Sequence, residues 1–133
     1  MKVLFLDTVH PLLEHRLVNM GFNCEYDYSS NRTSILKNIS VYDGIIIRSR
    51  IKIDFEFLSA AKKLKFIARS GAGLENIDCI EAEKRGVTIF SAPEGNRQAV
   101  GEHAVGMILS LFNKLSIGNT QIRSGKWNRE ANR

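Results

Sequence analysis

Two arginines and two glycines near the middle of the chain are the residues best suited to chemistry. Arg48 closes the apolar run GIIIRS (44 to 49), Arg69 closes KFIARS (65 to 70), and the second run passes through Ser70 into Gly71-Ala72-Gly73. If both runs are strands, the two guanidinium groups stand at the same end of neighbouring strands. Beside them lies a glycine loop whose backbone N–H groups can face a ligand with no Cβ in the way. Cations and free N–H donors converging on one edge make an anion pocket, in which each charge-assisted contact contributes roughly 1.5 to 3 kcal/mol. A blander reading keeps the glycines as a strand-to-helix turn and pairs the arginines with Asp7, Glu75 or Asp78.

The stretch FIARSGAGLENID (66 to 78) also holds two thirds of a GxGxxG pattern. In a dinucleotide loop the pattern follows the first strand, opens a helix directly, and is trailed by an acidic residue about 20 positions on. Here it follows the fourth apolar run, and Asn76 stands where the third glycine belongs. A small-molecule anion site fits better than a pyrophosphate loop. His103, beside Glu102 in a long apolar stretch, reads as structural, and His10 and His15 read as surface residues. Cys24 and Cys79 are far apart, with no CxxC and no histidine at ligand spacing, so neither a disulfide framework nor a metal site is expected.

The elements that must position these groups alternate. The apolar runs KVLFLD (2 to 7), FNCEYD (22 to 27), GIIIRS, KFIARS and VTIFSA (87 to 92) are each separated by a helical pattern. Consecutive apolar residues such as Ile45-Ile46-Ile47 indicate strands covered on both faces, as in a parallel sheet. PLLEHRLVNMG (11 to 21) predicts a helix with Pro11 in the first turn, Gly21 as C-terminal cap, and Leu13, Leu17 and Met20 on one face. Thr33 and Asp54 are candidate caps of the next two helices, and Gly86 ends the fourth. The expected fold is α/β: a flavodoxin-like, five-stranded parallel sheet with helices on both faces. After Pro93 the pattern predicts one long helix over 96 to 118, apolar on more than one side, followed by a polar tail with one Trp.

With 133 residues, 44% hydrophobic and 25% charged, the chain has the composition of one packed globular unit. A net charge of +5 suits an anionic partner. The basic residues are dispersed and offer no aromatic stacking platform, which argues against nucleic acid. No run approaches a membrane span or a signal peptide, so a cytoplasmic location is expected. A receiver domain shares the fold class, but it needs an Asp ending strand three and a Lys ending strand five, where this chain carries Arg48 and Ser91-Ala92.

The segments IIIRSRIKID, FIARSGAGLENID, RGVTIFSAPEGNRQAVGEHAVGMIL and SGKW, in order and at matching spacing, resemble the D-isomer-specific 2-hydroxyacid dehydrogenases, in particular their phosphoglycerate branch. The resemblance implies that residues 1–96 are the substrate-binding domain and 97–133 the interdomain helix and start of an NAD-binding domain. It implies that Ser70, Gly71, Ala72 and Gly73 hold the substrate carboxylate, that Arg48 and Arg69 bind a phosphate end, and that Asn96 orients substrate near the reacting carbon. Asn96 also reads as a helix N-cap. The implied reaction is oxidation of 3-phosphoglycerate to 3-phosphohydroxypyruvate, the first step of serine biosynthesis, with NAD bound downstream. Since the family's catalytic His, its Glu and its true glycine fingerprint lie beyond SGKW, the chain alone is expected to be inactive. A homodimer is implied for the parent protein, and self-association through residues 100 to 117 for the chain alone. The alternative left open is a non-catalytic α/β ligand-binding or receiver-like regulatory domain, and the particular 2-hydroxy acid is also open.

Overall fold

Residues 1–132 are described by a computed structural model, and they form two compact units, Met1–Gly95 and the segment that begins at Asn96. In the first unit five strands, β1 (Lys2–Phe5), β2 (Asn23–Tyr26), β3 (Gly44–Ile47), β4 (Phe66–Arg69) and β5 (Thr88–Phe90), alternate with four helices, α1 (Pro11–Asn19), α2 (Arg32–Asn38), α3 (Phe55–Ala60) and α4 (Cys79–Lys84). All neighbours pair in parallel, in the order β2-β1-β3-β4-β5. This is the expected sheet. Its strands are shorter than the apolar runs, since residues at one or both ends of each run belong to the connecting loops.

The run of consecutive isoleucines has the physical cause that the sequence pointed to. β3 is central, and all four of its residues are buried. Ile46 joins Val3 and Phe5 on the face covered by Leu13 and Leu17 of α1. Ile45 and Ile47 join Leu4, Leu6 and Ile67 on the other face, against Ile35 of α2, Phe57 and Leu58 of α3 and Ala82 of α4. Gly44 is required where it stands: it pairs with Phe66 across the ladder, and a Cβ there would collide with the Phe66 ring.

The helix ends correct two expectations. Met20 caps α1 and is 71% exposed, so the buried face of α1 is Leu13 and Leu17 without it. His10 is exposed, as expected, and its Nδ1 also accepts the Leu12 N–H at 3.2 Å, closing the first turn of α1. The cap of α2 is Asn31, whose side chain accepts the Ser34 N–H at 2.9 Å, and Thr33 lies inside the helix. Asp54 caps α3 as expected, accepting the Phe57 N–H at 3.2 Å. Gly21 and Gly86, with φ of 83° and 70°, supply the left-handed turns after α1 and α4.

The second unit departs most from expectation. The single long helix is two, α5 (Arg97–Phe112) and α6 (Leu115–Arg123), broken at Lys114, which takes the left-handed conformation with φ 49° and ψ 34°. The polar tail is therefore helical through Arg123, with a short 3₁₀ turn at Glu130–Asn132. No residue of α5 is buried, and Leu111 and Phe112 are 77% and 79% exposed. Among the described residues no helix is long and apolar enough to cross a membrane.

Candidate functional site

Parallel pairing sets the site. Ile47 and Arg69 are in register, so Arg48 leaves β3 one residue beyond the level at which Arg69 ends β4, both at the carboxyl edge. That edge is where open α/β sheets bind ligands. The ladder continues one step, with Ser70 N–H donating to Ile47 O at 2.8 Å, and then a tight turn forms as Gly71 N–H donates to Arg69 O at 2.9 Å. Ala92, just past β5, donates to Gly71 O at 2.9 Å and fixes the loop from its other side.

From there the backbone leaves donors unused. Among the described residues, the N–H groups of Ala72, Gly73 and Leu74 have no acceptor. The loop is then fastened again: Ile77 N–H reaches Leu74 O at 2.9 Å, Ile53 N–H reaches Asn76 O at 2.8 Å, and Asp78 N–H reaches Ile53 O at 2.8 Å. With Glu75 and Asn76, whose N–H groups also lack an acceptor among the described residues, five donors in a row between two anchored ends form a cluster of partial positive charge.

Side chains close over both glycines. A Cβ at Gly71, where φ is 156°, would strike Arg69 Nη1, and a Cβ at Gly73 would strike the Glu75 carboxylate. Arg69 thus lies over the loop in space that only glycine leaves open. Its Nε is buried with no hydrogen-bond partner among the described residues. Beside it is a cleft of about 230 Å³ walled by Leu13, Ala68 and Phe90, with Ser70 and Ser91 at its polar rim.

Of the three carboxylates that the sequence offers as partners for the arginines, two are engaged elsewhere, and Glu75 lies over Gly73 without pairing to either arginine among the described residues. Asp7 accepts the Arg48 backbone N–H at 2.6 Å and lies 3.9 Å from Arg50 Nε, while Asp78 caps α4 through the Glu81 N–H at 3.0 Å. Among the described residues neither Arg48 nor Arg69 forms an ion pair. The Arg48 side chain is exposed and Arg69 is half-buried.

Arg50, which sequence reasoning passed over, organises this edge without facing a ligand. Its Nε and Nη2 donate to Leu6 O at 2.9 and 2.7 Å, Nη2 also to Asp27 O at 2.6 Å, and Nη1 to Ser30 O at 2.7 Å. One guanidinium gathers the carbonyls that follow β1 and β2. Partial burial opposes charge on the Asp27 carboxyl. Hydrogen bonds from Ser30 and Ser29, with the Arg50 charge, nonetheless hold it below the usual carboxylate range. The pattern RSR at 48 to 50 was its only trace in the sequence.

Asn96, in the second unit, occupies the N-cap position of α5, yet its side chain makes no capping bond; its carbonyl accepts the Val100 N–H at 2.9 Å. The side-chain amide is therefore not consumed by the helix end. His103 lies on the exposed surface of α5.

The residues present do not suit a dinucleotide at the glycine loop. Asn76 closes the loop back onto the segment after β3, donating from Nδ2 to Ile51 O at 3.1 Å and Arg48 O at 3.4 Å. The following helix starts only at Cys79, and the Asp78 carboxylate already occupies its N-terminus, where a pyrophosphate would sit.

The chain that carries this edge matches a known family over nearly its whole length. The model of the D-isomer specific 2-hydroxyacid dehydrogenase catalytic domain matches residues 3–130. The chain belongs to this family. Its members are oxidoreductases. D-3-phosphoglycerate dehydrogenase of Archaeoglobus fulgidus is 32% identical over 130 residues, covering 98% of this chain and 25% of that enzyme. Among solved structures, a protein of Pyrococcus horikoshii superposes with a TM-score of 0.86 at 32% identity, over 98% of this chain and 39% of the other. The NAD-bound 3-phosphoglycerate dehydrogenase of Entamoeba histolytica gives 0.68 at 28% identity, over 86% and 40%. The chain thus spans about a quarter of the length of the curated relatives it matches.

Proposed function

We propose that this chain supplies the substrate-holding part of an NAD-dependent D-2-hydroxyacid dehydrogenase acting on a phosphorylated hydroxy acid, 3-phosphoglycerate, in serine biosynthesis. The observation that carries the reading is the buried, unpartnered Arg69 Nε beside the free N–H groups of Ala72, Gly73 and Leu74. The free N–H groups donate to the substrate carboxylate, which Ser70 and Gly71 flank at the turn. Arg69 and the exposed Arg48 hold the phosphate end, and Asn96 brings an unengaged amide to the substrate. Oxidation of a 2-hydroxy acid moves a hydride from C2 to NAD and releases the hydroxyl proton to a base.

The chain's own histidines are not arranged for that proton: His10 caps α1, His15 lies within α1, and His103 lies within α5. The chain alone is therefore proposed to bind substrate without oxidising it, with NAD and the acid/base pair supplied outside residues 1–133, in the cytoplasm. Relatives named D-3-phosphoglycerate dehydrogenase support the substrate class. A receiver-like role gains nothing from the edge, since Asp7, the carboxylate that follows β1, is tied to the Arg48 backbone.

The test is calorimetric titration of the chain with D-3-phosphoglycerate, phosphohydroxypyruvate and D-lactate, repeated with Arg69→Ala and with Arg48→Ala. The phosphorylated acids should bind, and loss of Arg69 should weaken them by roughly 10- to 100-fold, the equivalent of one charge-assisted contact. Equal binding by the wild type and both variants would remove the arginines from the site.

A further inference from the structure

We infer that Asn76 is a positioning residue that sets the glycine loop in its ligand-ready shape, an inference that rests on the carboxylate reading of that loop. The position attracts attention because a glycine fingerprint fails there, and the structure gives the failure a use. Asn76 acts through both its side chain and its backbone. The side-chain Nδ2 donates to Ile51 O at 3.1 Å and, at the long end of the range, to Arg48 O at 3.4 Å, while the backbone O accepts the Ile53 N–H at 2.8 Å. One residue later, Ile77 forms an isolated parallel bridge with Ile53. A single amide therefore joins the loop after β4 to the segment after β3, and it does so through the carbonyl of the arginine that flanks the site.

This brace is the near anchor of the free donors at Ala72, Gly73 and Leu74. Gly71 and Gly73 give the loop its closeness to Arg69 and Glu75, but they also give it freedom, and nothing between Ala72 and Leu74 restrains the backbone by hydrogen bonds from its own N–H groups. A carboxylate bound by backbone donors needs those donors held before the ligand arrives, because ordering them on binding subtracts from affinity. Glycine at position 76 would lose both side-chain bonds. Aspartate would keep the shape of Asn76 but turn a carboxylate oxygen towards two carbonyls. The residue type that meets the requirement is a short side chain with two N–H donors.

The experiment compares wild type, Asn76→Ala, Asn76→Asp and a control, Arg85→Ala, which removes bonds to Leu58 O at 3.3 Å and Ser59 Oγ at 2.9 Å well away from the loop. Backbone order parameters of Ala72, Gly73 and Leu74 are measured by NMR without ligand, and affinity for D-lactate and D-glycerate is measured by titration. Wild type and Arg85→Ala should keep the loop near the rigid value of about 0.85. Both Asn76 variants should fall below about 0.6 and bind the carboxylate probes roughly tenfold more weakly. A loop that stays rigid in Asn76→Ala, or loosens as much in Arg85→Ala, overturns the inference. Wild type that binds neither probe overturns the carboxylate reading instead, while the order parameters still decide the role of Asn76.

Discussion

Arg69 reaches over its loop only because Gly71 has no side chain. Gly71→Ala is expected to push the guanidinium aside and reproduce most of the binding loss of Arg69→Ala, while Arg69→Ala itself leaves the thermal midpoint within a few degrees, since Arg69 has no ion pair to lose. Scanning calorimetry beside the titration checks both. A second residue-scale expectation concerns alkaline pH. Burial, and then the hydrogen bond to Glu25 at 2.6 Å, push the Tyr42 phenol up to about 12 from 10.0. The folded state keeps the proton that the unfolded chain releases near 10.0, so this contribution is complete below that pH and is lost as pH rises towards 12. Tyr42→Phe should flatten the fall in stability between those values. The slope that remains belongs to Tyr26, which its hydrogen bond to Glu14 holds at about 12, and to Tyr28 and Cys24, both pushed up chiefly by burial. Unfolding in urea at a series of alkaline pH values gives the comparison.

At the level of elements, close packing and turn geometry make two opposite predictions. Gly44→Ala forces a methyl group into the Phe66 ring in the middle of the sheet and should cost about 1 to 3 kcal/mol in urea unfolding. Lys114→Gly relieves a left-handed residue between α5 and α6. It should leave the chain as stable or raise its stability by up to about 1 kcal/mol, where Lys114→Val lowers it. The sheet could be foreseen because buried strands announce themselves as unbroken apolar runs, and Asp54 announced α3 because a carboxylate before a helix has one obvious use. The break at Lys114 could not, since neither Gly nor Pro marks it. Thr33 misled because Asn31, two residues earlier, is the better acceptor. At the site, Arg48 and Arg69 were legible as strand ends. Arg50 and Asn76 were not, because their partners are backbone carbonyls of other loops, which no side-chain pattern encodes.

For the molecule as a whole, the exposed side chains of α5 and α6 carry an expectation about association. Val100, Met107, Ile108, Leu111, Phe112 and Ile117 are all more than half exposed, a concentration of apolar surface seldom left bare. Two copies are proposed to meet through residues 100 to 117. Light scattering over a concentration series should show mass rising above that of one chain, and Leu111→Asp with Phe112→Asp should hold the chain monomeric; a wild type that stays monomeric at high concentration removes the proposal. The strand order has a consequence of a different kind, for the time the chain takes to fold. Every ladder is parallel, so no hairpin is available to nucleate the sheet. Residue 3 pairs with residue 24 on one side and residue 44 on the other. Each pairing closes a long loop before any ladder bond forms. The first unit should therefore fold in milliseconds or slower, with β1 and β3 acting as the slow step around which the other strands assemble.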